Sequence, residues 1–138
     1  MRFTQASLLF LVVAISCTKP AKKKKLDSSE NLSGKWEYTE HYFSIGGPGT
    51  WQPVLPSGQM IEFMPLGLFR SASSFSGTFR NYEVVDSATV KFTPAPTASG
   101  YLLMRYQIDE AQGTLLLSPI EPMCIEGCSD KFRRSNKN

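Results

Sequence analysis

From Leu32 onward, no stretch of about twelve residues repeats its apolar positions at the helical period of 3.6. That absence limits the chain more than any motif it carries. Without amphipathic helices, a core must be built from sheet faces. The runs that remain are short and rich in aromatic and β-branched residues. Gly, Pro and Ser clusters separate them every ~8–12 residues. Lys35 to Ile45 alternates, with Trp36, Tyr38 and Tyr42 on one face and Lys35, Glu37 and Thr39 on the other. Further strands are expected at Gln59 to Met64, from Leu68 to Ser71, and at Thr78 to Val85, Ser87 to Thr93, Tyr101 to Ile108 and Thr114 to Leu117. A last hairpin runs from Met123 to Arg133. Gly46 to Gly58 has four Gly, three Pro and no charge, and reads as a long loop around Trp51, Val54 and Leu55. Ser71 to Gly77 and Pro94 to Gly100 read as turns. The pattern predicts an all-β fold, an antiparallel barrel or sandwich of about eight strands. A small up-and-down barrel removes sheet edges by closure.

In such a barrel, alternation alone selects Tyr38, Tyr42, Ile61, Phe63, Leu103 and Leu117 as the candidate ligand lining. An interior of about eight strands holds either its own side chains or one small ligand, and both outcomes stand. Trp51, in the uncharged loop, either forms an exposed apolar contact patch with Val54 and Leu55 or folds over the barrel mouth.

The first residues read differently. Arg2 precedes the apolar run Leu8 to Ile15, which is too short for a membrane span of roughly 20 residues but suits a signal peptide over 1–16. Ala14-Ile15-Ser16-Cys17 resembles the lipobox of bacterial lipoproteins. The resemblance implies cleavage before Cys17, acyl chains on that cysteine and membrane attachment through them. Thr18 stands where an aspartate would resemble an inner-membrane retention signal, so the outer membrane is expected, facing the periplasm. Lys19 and Lys22 to Lys25 make residues 17–31 a basic linker, either a solvated spacer or a contact for anionic headgroups. From Asn31 onward there are nine basic and ten acidic residues, which leaves no basic footprint for nucleic acid. The domain proper is expected over 32–134, with a polar tail at 135–138.

The chain has three cysteines. With Cys17 lipidated, Cys124 and Cys128 remain, an even pair expected to form a disulfide in an oxidising compartment. A zinc site wants four ligands, and the one histidine, His41, is distant in sequence. No Gly-x-Ser-x-Gly elbow, phosphate loop, dinucleotide fingerprint or EF-hand spacing occurs. The expectation is therefore no catalytic residue, no metal and no cofactor.

Gly34-Lys35-Trp36 matches Gly-x-Trp at the start of a first strand, after a polar lead-in. With the lipobox, the glycine-rich early loop and Cys124-Ile125-Glu126-Gly127-Cys128 followed by Lys131-Phe132-Arg133-Arg134, the chain resembles the lipocalin-like lipoproteins of Gram-negative bacteria. The resemblance covers roughly Leu32 to Arg134. It implies a lipocalin-like, calycin-type up-and-down barrel. It also implies a floor in which Trp36 packs against a late basic residue, Arg133 or Arg134. The Thr-Asp-Tyr turn and the C-terminal helix of lipocalins are missing. The function implied is binding of a small apolar ligand. The alternatives are an envelope protein partner, bound in the manner of a lysozyme inhibitor through the Ser71 to Ser76 loop beside Arg70, or a structural subunit of an outer-membrane complex.

Overall fold

The computed structural model describes residues 31–136, apart from positions 45, 74, 76, 77 and 126. The expected leader, the expected lipidation site Cys17, nearly all of the expected basic linker and the end of the polar tail lie outside the described residues. Nine strands occur among the described residues: β1 (Gly34–Phe43), β2 (Thr50–Pro53), β3 (Met60–Met64), β4 (Leu68–Ala72), β5 (Phe79–Asp86), β6 (Thr89–Pro94), β7 (Leu102–Asp109), β8 (Thr114–Glu121) and β9 (Ser129–Arg134). All pairings are antiparallel and, β2 aside, run in chain order. β9 returns to β1 over six paired positions, from Trp36↔Arg134 to Tyr42↔Ser129, and closes an eight-stranded barrel.

β2 is the additional strand. It pairs with β1 over Glu40 to Phe43, and β3 pairs over Gly34 to Glu37. The two lie end to end along β1, with residues 54–59 as an excursion between them. Val54 N–H donates to the Thr39 carbonyl at 3.0 Å and Tyr38 N–H to the Gln59 carbonyl at 2.8 Å, so the ladder is held on both sides of that excursion. The uncharged segment expected to be loop throughout therefore contributes one short strand, centred on Trp51.

The core follows period two. Trp36, Tyr38, Ile61, Phe63, Phe69, Val90, Phe92, Met104, Tyr106, Leu115, Leu117 and Phe132 are buried from successive strands. Two lining expectations are corrected. Tyr42 does not share the inner face of Trp36 and Tyr38, because the β1–β9 register shifts between Tyr38 and Glu40. After that bulge His41 faces in, opposite buried Asp130, and Tyr42 faces out beside Trp51. Leu103 also faces out, opposite Lys91, while Met104 and Tyr106 take the interior. Arg105 and Gln107 share the Leu103 face, which makes that face the wet one.

Candidate functional site

The barrel floor is built around Trp36. Its indole is fully buried, and Nε1 donates to the Leu32 carbonyl at 2.9 Å. The Arg134 guanidinium lies 4.3 Å from the ring centroid, a cation–π pair. The same guanidinium donates to the carbonyls of Ser33 (3.2 Å) and Asn31 (2.8 Å), tying the lead-in segment across the floor. Arg133, one residue earlier, points outward to Glu37 at 3.3 Å. Alternation along β9 explains why only one of the two arginines reaches the indole.

Ile61, Phe63 and Leu117 face the interior, at no more than 1% exposure. They pack into a space filled by aromatic rings. Phe63 meets Phe69, Tyr82 and Phe92 with centroids 5.0–5.9 Å away, and Phe69 meets Phe92 at 4.8 Å. Nearer the mouth, Phe75 reaches in from the Ser-rich turn and contacts Phe132 at 5.2 Å and Tyr38 and Phe92 at 6.1 Å. That turn is braced by its own hydroxyls, with Ser71 Oγ and Ser73 Oγ 2.9 Å apart.

Tyr38, His41 and Asp130 form a polar cluster on the inner wall that no sequence motif singled out. Tyr38 Oη donates to Asp130 Oδ1, and His41 Nδ1 lies 2.8 Å from the same oxygen. Burial, and then the Asp130 hydrogen bond and charge, push the Tyr38 phenol far above its ordinary value. One signal was available: Asp130 alternates with Phe132, so a carboxylate occupies an apolar face.

On the outer wall, Trp51 packs at a tilt against Tyr42 (5.3 Å between centroids) and carries the Lys131 ammonium 4.2 Å from its ring centroid. Lys131 is also paired with Glu40 at 2.5 Å. Trp51 thus lies along the barrel side, 38% exposed, and not across its mouth. A cleft of about 240 Å³ runs from it past Lys131 to Gln107 and Asp109. At the mouth end, Cys124 and Cys128 form a disulfide with Cα atoms 5.8 Å apart. The hairpin expected from Met123 to Arg133 is instead formed by β8 and β9, with residues 122–128 connecting Glu121 to Ser129, and Met123 and Ile125 project from that connection at 77% and 94% exposure.

The wall is weakest between β4 and β5, which share a single paired position, Leu68↔Asn81. A cleft of about 690 Å³ opens there, lined by Phe69 and Ser71, by Leu68 and Arg70, and by Arg80, Asn81 and Pro96. A second wall cleft, about 310 Å³, lies over β1, β3 and β4 between Lys35, Met60 and Arg70. Among the described residues, no group of three or more His, Cys, Asp or Glu side chains could hold a metal ion. No protein-family profile, curated protein or solved structure matches the chain.

Proposed function

We propose that the chain is a lipocalin-like lipoprotein of the bacterial outer membrane, anchored through Cys17 and facing the periplasm, whose barrel is a binding module for a small apolar ligand. The lipobox-like Ala14 to Cys17 and the basic linker support the anchoring. The closed antiparallel barrel with its Trp36–Arg134 floor supports the lipocalin-like kinship. The observation that carries the binding role is the seam between β4 and β5, where apolar side chains line a cleft of about 690 Å³. That size suits a small organic molecule. No catalytic residue is proposed. Native mass spectrometry of the full chain recovered from a bacterial envelope tests this. An adduct lost on organic extraction supports the reading. A bare mass, together with no uptake of an apolar fluorescent probe, overturns it.

A second reading rests on Met123 and Ile125, two exposed apolar side chains on a disulfide-closed loop. Such a loop resembles the protruding anchor of a protein–protein contact. In this reading the lipoprotein docks on an envelope partner. The double substitution Met123→Ser, Ile125→Ser then abolishes co-purification of that partner and leaves the adduct in place.

A further inference from the structure

We propose that the β4–β5 seam takes an anionic amphiphile, with a carboxylate, sulfonate or phosphate-ester head held by Arg70 and Arg80 and an apolar body lying against Leu68, Met64 and Phe69. This rests on the reading of the barrel as a small-ligand binder. It adds the charge of the ligand and the place where it enters.

The sheet itself supplies the first argument. β3 and β4 pair over five positions and β5 and β6 over six, whereas β4 and β5 between them share one. Phe69, at 2% exposure, belongs to the core, and Ser71 alternates with it on the inner face. Leu68 and Arg70 belong to the outer face. All four line one cleft. With a single paired position between them, β4 and β5 leave a cleft along their boundary. The seam is therefore a cleft in the wall whose lining includes Phe69, a ring at the edge of the aromatic core.

The lining supplies the second argument. Among the described residues, the charged groups that line the cleft are Arg70 and Arg80, with no carboxylate beside them. The partner of Arg70 is Glu62, on the adjacent strand at 3.6 Å, with the guanidinium side chain 70% exposed. Arg80 Nη1 donates to its neighbour's carbonyl, Phe79 O, at 2.9 Å. The Arg70 contact is at the surface and exchanges readily for a better acceptor. A guanidinium presents a planar fork that matches carboxylate, sulfonate and phosphate oxygens, and it loses less hydration than an ammonium when it does so. Ser71 and Asn81 add hydrogen-bonding groups beside the head. Below them the walls are apolar, which suits a hydrocarbon or ring body and rejects a second charge.

A matched pair of probes tests the inference. 1-Anilinonaphthalene-8-sulfonate and N-phenyl-1-naphthylamine share one apolar body and differ by the sulfonate. Fluorescence titration of the full chain is expected to show the sulfonate binding at least about tenfold tighter. In Arg70→Gln, Arg80→Gln that ratio is expected to fall to about one. Lys91→Gln, which removes one positive charge from the neighbouring outer wall, is expected to keep it. If the double variant does not melt cooperatively, Arg80→Gln alone is expected to remove about half of the preference on a logarithmic scale. Equal affinities in the parent, or a preference that survives loss of the arginines, overturn the anionic assignment and leave the binding role intact. If neither probe binds, both readings fall.

Discussion

A carboxylate on the inner face of a barrel is costly unless its charge is met by donors. Asp130 accepts at Oδ1 from the Tyr38 phenol, and His41 Nδ1 lies 2.8 Å from the same oxygen. The arrangement has a consequence at alkaline pH. The Tyr38 phenol is held above its ordinary value of 10.0 in the folded chain, by burial first and by Asp130 second. The folded state keeps a proton that the unfolded chain gives up. The stability tied to Tyr38 is thus complete below pH 10 and is lost as pH rises past the unfolded value. Urea unfolding between pH 8 and 11.5 is expected to show a decline steeper in the parent than in Tyr38→Phe, by up to about 1 kcal/mol per pH unit. Identical slopes would show that Tyr38 ionises as freely folded as unfolded. At the opposite end, Trp36→Ala is expected to cost about 3–5 kcal/mol, as a fully buried indole does. Arg134→Met, which keeps the length and apolar stem but removes the donors to Asn31 and Ser33, is expected to cost about 2 kcal/mol. A thermal midpoint unmoved by Trp36→Ala would remove the floor from the account of the fold.

Among the elements, β1 shows what alternation can and cannot convey. Its first half reads correctly from Trp36 and Tyr38. Its second half does not, because one bulge between Tyr38 and Glu40 turns over every later side chain. Nothing in Thr39 or Glu40 announces that bulge; it is set by how β9 closes the barrel. β7 is the opposite case. Leu103 was separable from Leu102 by the company each keeps, since Leu102, Met104, Tyr106 and Ile108 form one apolar series and Leu103, Arg105 and Gln107 a mixed one. β2 stayed hidden because Gly and Pro flank four residues whose pairing depends on β1, not on their own propensity. The cysteine pair was legible from count and spacing, and its effect should be local. Closing a five-residue loop restricts the unfolded chain by about 2 kcal/mol at most. Cys124→Ser, Cys128→Ser should lower the unfolding free energy by no more than that, with the near-ultraviolet signal of the buried rings retained. A larger loss, or a collapse of that signal, would mean that the loop organises the barrel and not merely its own turn.

On the scale of the whole molecule, closure is unevenly secured. β7 and β8 share seven paired positions and β1 and β9 six, so ladder hydrogen bonds and the inward rings between them reinforce each other. The β4–β5 boundary has one pair. No local pattern could reveal this, because β4 and β5 each read as ordinary strands and the gap exists only between them. Phe75, Phe79 and Phe92 form a partial aromatic seal behind it, and the polar rim of Arg70, Arg80 and Asn81 faces solvent. A barrel with one weak boundary should open there first, since few backbone bonds need to break and the exposed edge is already solvated. Amide hydrogen exchange under native conditions is expected to rank accordingly. The ladder amides of β7, β8 and the β1–β9 closure exchange slowest, near the global unfolding limit. The amides of β4 and β5 that face each other exchange fastest among strand residues, at least about 100-fold sooner, which corresponds to some 3 kcal/mol less protection. Equal protection on both sides of the molecule would mean that β4 and β5 are bonded as firmly as the rest. The seam would then be a surface groove with no opening to the core.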